Sequence, residues 1–201
     1  RIMDTYFTIE SNAVAEYKDR GSRFLAYSFP LKDAAGLKKH LQQLKKEHPK
    51  AAHYCFAYRI GTDGNNFRSG DDGEPSGTAG KPILGQIDSK NLTDTLIIVV
   101  RYFGGTLLGV PGLINAYKTS SSLVLQCTPV VQKAIEINYE LQFNYTEINE
   151  VMRIIKQHNC TVHKNEMQLF CKIEIGIPKN KIDEIKTSFS DIKNLEFHQS
   201  N

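Results

Sequence analysis

Between Asp33 and His48, leucines 37, 41 and 44 recur at intervals of four and three among lysines, glutamines and histidines. That spacing places one apolar stripe on an amphipathic helix, with Asp33 positioned to cap its start and Pro49 to close it. Before it, the pattern predicts an extended stretch near Thr5 to Glu10 and a strand from Ser22 to Phe29, ended by Pro30. After it, His53 to Ile60 alternates like a strand, with Cys55, Ala57 and Arg59 on one face and Tyr54, Phe56 and Tyr58 on the other. Gly61 to Asn66 reads as a turn. A helical stretch ending near Asn91, a buried strand from Thr95 to Phe103 and a long helix from Val110 to Cys127 complete this half.

From Ala134 the rhythm changes to strand 135–144, helix 147–158, strands 160–165 and 168–176, helix 179–189 and strand 194–198. This βαββαβ order is ferredoxin-like. His163-Lys-Asn-Glu166 supplies the expected hairpin turn, and Ile177-Pro178 opens the following helix. The expected architecture is therefore α+β in two domains, 1–130 and 134–201, with a seam near residues 128–134.

Composition narrows the class. Of 201 residues, 40% are apolar and 23% charged, ordinary values for a globular protein with its own core. The longest apolar run, Leu96 to Val100, is far too short to cross a bilayer. The N-terminus shows no basic segment followed by an apolar one. Met3 thus reads as a natural start, and a cytoplasmic address with no membrane partner is expected. Cysteines 55, 127, 160 and 171 form no CxxC pair, and the six histidines form neither HExxH nor HxH, so zinc and disulfides are not expected. Residues 1–133 hold 17 Lys and Arg against 12 Asp and Glu, or +5, whereas residues 134–201 hold 8 against 10, or −2. The basic excess suits an RNA or ribosome partner, though much of it lies on Lys38, Lys39, Lys45 and Lys46 of one predicted helix face.

Two glycine-rich segments carry the candidate chemistry. In Asp71-Asp-Gly-Glu-Pro-Ser-Gly-Thr-Ala-Gly-Lys-Pro82, Gly77 to Gly80 precede a helix that Thr78 could cap, and Lys81 follows. In Arg101-Tyr-Phe-Gly-Gly-Thr-Leu-Leu-Gly-Val-Pro111, a strand end passes through Gly104-Gly105 into a helix that carries Lys118. Helix starts with open N–H groups can receive an anion, which makes Gly77, Thr78, Gly80, Lys81, Arg101, Tyr102, Gly104, Gly105 and Lys118 candidate phosphate or nucleic-acid contacts. The alternative is that these glycines serve positive φ or close backbone packing. Asp71, Asp72 and Glu74 could hold Mg²⁺ with waters and a phosphate. Neither GxGxxG nor GxxxxGK[ST] occurs, so no nucleotide cofactor is expected. Ser76, Thr78 and Ser120 to Ser122 have no histidine or lysine at a recognised catalytic spacing.

These residues resemble a known signature. Asp72-Gly-Glu-Pro-Ser-Gly-Thr-Ala-Gly-Lys-Pro82, Arg101-Tyr-Phe-Gly-Gly105, Leu108-Gly109, Gly112-Leu113 and Ala116-Tyr117 look like the IMPACT family in its bacterial YigZ branch, and Ser22 to Tyr27 and His53 to Tyr58 also fit. The resemblance implies a first domain like domain IV of elongation factor G, with a left-handed βαβ crossover, and a second like that factor's ferredoxin-like domains. Eukaryotic relatives are implied to regulate translation without known catalysis. Leu107, Pro111 and Asn115 stand where the family usually has lysine, glycine and arginine, which removes two positive charges from the loop and helix a phosphate would touch. The leading expectation is a non-enzymatic RNA- or ribosome-binding protein that modulates translation. The alternatives are a Mg²⁺-dependent enzyme acting on a phosphorylated small molecule and a protein-interaction module.

Overall fold

The computed structural model describes residues 4–200; Met3, the expected start, lies outside them. The chain divides into two compact units, Tyr6–Lys133 and a second that gathers Asp4 and Thr5 with the chain from Ala134 onward.

In the first unit, five strands form one sheet in the order β2-β3-β6-β4-β5: β2 Ala13–Asp19, β3 Ser22–Pro30, β4 His53–Ile60, β5 Asn66–Gly70 and β6 Thr95–Tyr102. Every neighbouring pair is antiparallel. Because β3 and β4 both run against β6, they are parallel to each other, and α1 (Gly36–Glu47) is the crossover between them. The apolar run Leu96 to Val100 is buried because β6 is central in the sheet and helices cover both of its faces. On one face, α2 (Gly80–Ser89) and α3 (Gly109–Leu125) enclose Phe24, Ala26, Cys55, Ala57, Ile97 and Val99. On the other, Leu37 and Leu44 of α1 cover Phe29, Phe56, Tyr58, Leu96, Ile98 and Val100. A separate two-stranded sheet joins β1 (Thr5–Ile9) to β7 (Val130–Ala134).

Three strands depart from the periodicity reading. β2 alternates small and charged residues, Ala-Val-Ala-Glu-Tyr-Lys-Asp, so its inward face is too weakly apolar to signal a strand. β5 is exposed at its first four positions and reads as a continued turn. β7 is held by its partner β1 rather than by an apolar face of its own.

In the second unit, β8 (Glu136–Asn144), α4 (Ile148–Gln157), β9 (Thr161–Met167), β10 (Phe170–Pro178), α5 (Ile182–Ser190) and β11 (Glu196–Gln199) follow the βαββαβ order, with sheet order β11-β8-β10-β9. Tyr139, Leu141 and Phe143 of β8 and Ile173, Ile175 and Ile177 of β10 point inward against Val151, Ile154, Ile155, Ile185 and Phe189 of the helices. Two local expectations shift. The hairpin turns at Gln168-Leu169, so His163 to Glu166 lie inside β9, and Pro178 ends β10, one short helical turn before α5. No helix among the described residues is long and apolar enough to cross a membrane.

Candidate functional site

Both glycine-rich segments lie at one end of the five-stranded sheet, and a buried ion pair ties them together. Arg101, the last buried residue of β6, places one guanidinium nitrogen 3.0 and 2.8 Å from the two carboxylate oxygens of Glu74, and both residues are nearly inaccessible. Tyr117 of α3 donates its hydroxyl to Glu74 at 2.5 Å, and His53 Nε2 stands 3.4 Å from the same carboxylate. Cys55 donates to Tyr117 Oη at 3.3 Å and to the Asp71 carbonyl at 3.1 Å. Phe24 and Phe103 lie over the guanidinium at 5.4 and 5.8 Å. Burial raises the Cys55 thiol and the Tyr117 phenol well above their ordinary values, so both stay protonated as donors.

The convergence expected of the two loops is present, but Arg101 and the start of α2 are already bound, while the start of α3 has no side-chain cap. Arg101 is a partner of Glu74 beneath the surface, because a cation ending a doubly buried strand needs a carboxylate beside it. The start of α2 is likewise filled. Asp71 accepts from the backbone N–H groups of Gly77, Ala79 and Gly80 at 3.0, 3.2 and 2.8 Å. The chain supplies its own anion where a phosphate was expected. Burial pushes the Asp71 carboxyl up, but these three N–H bonds outweigh it and hold the acid below its ordinary value. Thr78 does not cap the helix; its hydroxyl donates to the Pro75 carbonyl at 2.6 Å.

The proposed metal trio is dispersed in the same way. Asp71 serves α2, Asp72 accepts from the Tyr54 N–H at 2.7 Å, and Glu74 serves Arg101. Among the described residues no cluster of three or more His, Cys, Asp or Glu is disposed to hold a metal ion. The glycines answer to backbone geometry. A Cβ on Gly104 would lie 2.0 Å from the Gly21 carbonyl carbon, and Gly77 turns at φ +79° to aim its N–H at Asp71. Gly105 is exposed, with φ +90°, and Lys81 and Lys118 are exposed on α2 and α3.

Tyr102 belongs to a different surface. As the neighbour of Arg101 on β6 it points to the opposite, α1 side, where its hydroxyl lies 2.6 Å from His48 Nδ1. Tyr27 Oη lies 2.7 Å from His48 Nε2, and the Tyr54 hydroxyl donates to the His48 carbonyl. Burial raises the Tyr27 and Tyr54 phenols. Three half-buried tyrosines thus lock the C-terminal end of α1 onto the sheet, with Lys45 5.6 Å above the Tyr54 ring and Arg23 5.4 Å above that of Tyr102.

Residues 32–50 carry lysines 32, 38, 39, 45, 46 and 50 against only Asp33 and Glu47, which accounts for four of the five excess charges in residues 1–133. All six are exposed, and none forms an ion pair among the described residues. Lys39, Lys45 and Lys46 line an open concavity of 740 Å³ with Gln42, Gln43 and Pro49. The sequence shows these lysines plainly, but the tyrosines beside them come from three separate strands, and only the sheet order brings them together.

The molecule is thus a two-domain α+β protein in which a helix-covered antiparallel sheet is followed by a ferredoxin-like unit. Residues 20–125 match the Impact N-terminal domain. The chain belongs to the IMPACT family. It is 30% identical to the IMPACT family member YigZ of Escherichia coli over 85% of this chain and 84% of that protein. It is 34% identical to the IMPACT family member YvyE of Bacillus subtilis over 78% and 72% of the two chains. The solved structure of a hypothetical protein, 26% identical, superposes with a TM-score of 0.78 over 98% of both chains.

Proposed function

We propose that this protein binds structured RNA, of the ribosome or otherwise, and thereby modulates translation without catalysing a reaction. The observation that carries this reading is the run of uncompensated lysines on α1 beside half-buried tyrosines of β3, β4 and β6. Unpaired cations on a helix surface attract phosphates, and neighbouring aromatic rings give an unstacked base a face to rest on. The interface accordingly lies on the α1 side, with Tyr102 retained from the sequence-based candidates. Lys81 and Lys118 lie on the helices of the opposite face and are assigned no direct part.

The test is fluorescence anisotropy of a labelled RNA hairpin across a series of salt concentrations. Each phosphate contact contributes a log–log slope of about −0.7 to −0.9, so four α1 lysines give about −3. The Lys38→Gln, Lys39→Gln, Lys45→Gln, Lys46→Gln variant is expected to keep its fold and lose most of that slope. Binding by the native protein that ignores salt, or no binding, overturns the reading.

A further inference from the structure

Strand β9 is the most open element of the chain. All seven residues, Thr161 to Met167, are exposed, and β9 pairs only with β10, leaving the other backbone edge open among the described residues. Natural sheets usually blunt such an edge with proline, lysine, a bulge, a very short strand or a covering segment. Among the described residues β9 has no proline and no cover, and its register shift at His163 leaves Lys164 to Met167 in regular pairing with β10. Exposed apolar side chains stand among its polar ones: Val162 and Met167 on the strand, Leu169 in its turn and Phe170 at the start of β10.

The charges on the strand follow a specific order. Across the pairing with β10, Glu166 stands opposite Lys172 and Lys164 opposite Glu174. A second β9, laid antiparallel along the open edge with Asn165 of each copy on the two-fold axis, would place Lys164 opposite Glu166 of the other copy, twice. The row across four strands then reads Lys172, Glu166, Lys164, Glu174, alternating in sign from one copy into the next. Opposite charges directly across an antiparallel pair stabilise it, while like charges oppose it. A shift of one residue to either side breaks both Lys–Glu pairs. Adjacent positions on a strand also face opposite sides, so the register is specified by charge as well as by length.

We propose that β9 is a self-recognition edge through which two copies of this chain join their four-stranded sheets into one eight-stranded antiparallel sheet, centred on Asn165. The contact is isologous, since each copy offers the same strand and the same pair of charges.

Sedimentation velocity over a concentration series is expected to show a species of twice the chain mass, and Lys164→Glu is expected to shift the midpoint at least tenfold toward the monomer. Directly opposed residues of an antiparallel pair lie about 4.5 to 5.5 Å apart at Cα, within disulfide reach. In a Cys127→Ser background, which removes the one exposed thiol among the described residues, Asn165→Cys is expected to cross-link two chains on mild oxidation. Thr161→Cys, four residues from the axis, is expected not to do so. A monomer at every concentration overturns the proposal. So does a dimer that fails to cross-link at residue 165, or one that Lys164→Glu leaves unchanged.

Discussion

Removing the Arg101 guanidinium strands the Glu74 carboxylate in the interior, and an uncompensated buried charge costs about 3 to 5 kcal/mol. Arg101→Ala is therefore expected to act on folding before any ligand is considered, and a urea denaturation series would register it as a large fall in midpoint. Replacing both partners, as Arg101→Met with Glu74→Leu, is expected to recover part of that loss, which a ligand-binding role for Arg101 would not. Asp71 gives a second, pH-dependent signature. Its folded pKa is lowered, so its contribution is complete above the ordinary carboxylate value and is lost as pH falls through the lower folded one. Asp71→Asn is expected to be less stable than the native protein at neutral pH, with the gap closing below about pH 4. Equal midpoints at neutral pH would refute the role given to its three N–H bonds. In the sequence, a single arginine after Leu-Ile-Ile-Val-Val and a single glutamate in a glycine-rich loop are both visible. Their pairing is not, because 27 residues separate them and only the sheet brings them into contact.

At the level of elements, legibility followed the strength of the periodic signal. The leucine stripe of α1 and the continuous apolar run of β6 come through because each buries a full apolar face, whereas β2 and β5 contribute little apolar surface and are held in place by β3 and β4. The same contrast predicts a gradient of backbone protection. Amide hydrogen exchange is expected to be slowest in β6, covered on both faces, and fastest within that sheet in β5, whose outer positions face solvent. Comparable protection in the two strands would contradict the burial pattern. The glycine-rich turns were legible as turns but not as closed sites. Asp71 caps α2 from nine residues upstream of Gly80, outside the local spacing at which capping signals are read.

For the molecule as a whole, the α+β class and the ferredoxin-like order of the second unit were readable because six elements alternate with clear turns between them. The ligand-facing surface was less accessible to sequence reasoning. Asp71, Asp72, Glu74 and Arg101 are unusual in the sequence, yet the fold engages each carboxylate, and the Arg101 Nη1, with another part of the chain, burying only the Arg101–Glu74 pair. The lysines of α1, which read as an ordinary solvated helix face, remain the largest uncompensated charge on the first unit. The most direct test compares two variants of the full chain for RNA affinity as salt is varied: one with lysines 38, 39, 45 and 46 changed to glutamine, the other with Lys81→Gln and Lys118→Gln. The account predicts that the first loses most of its salt dependence while the second keeps it. The reverse order would contradict it.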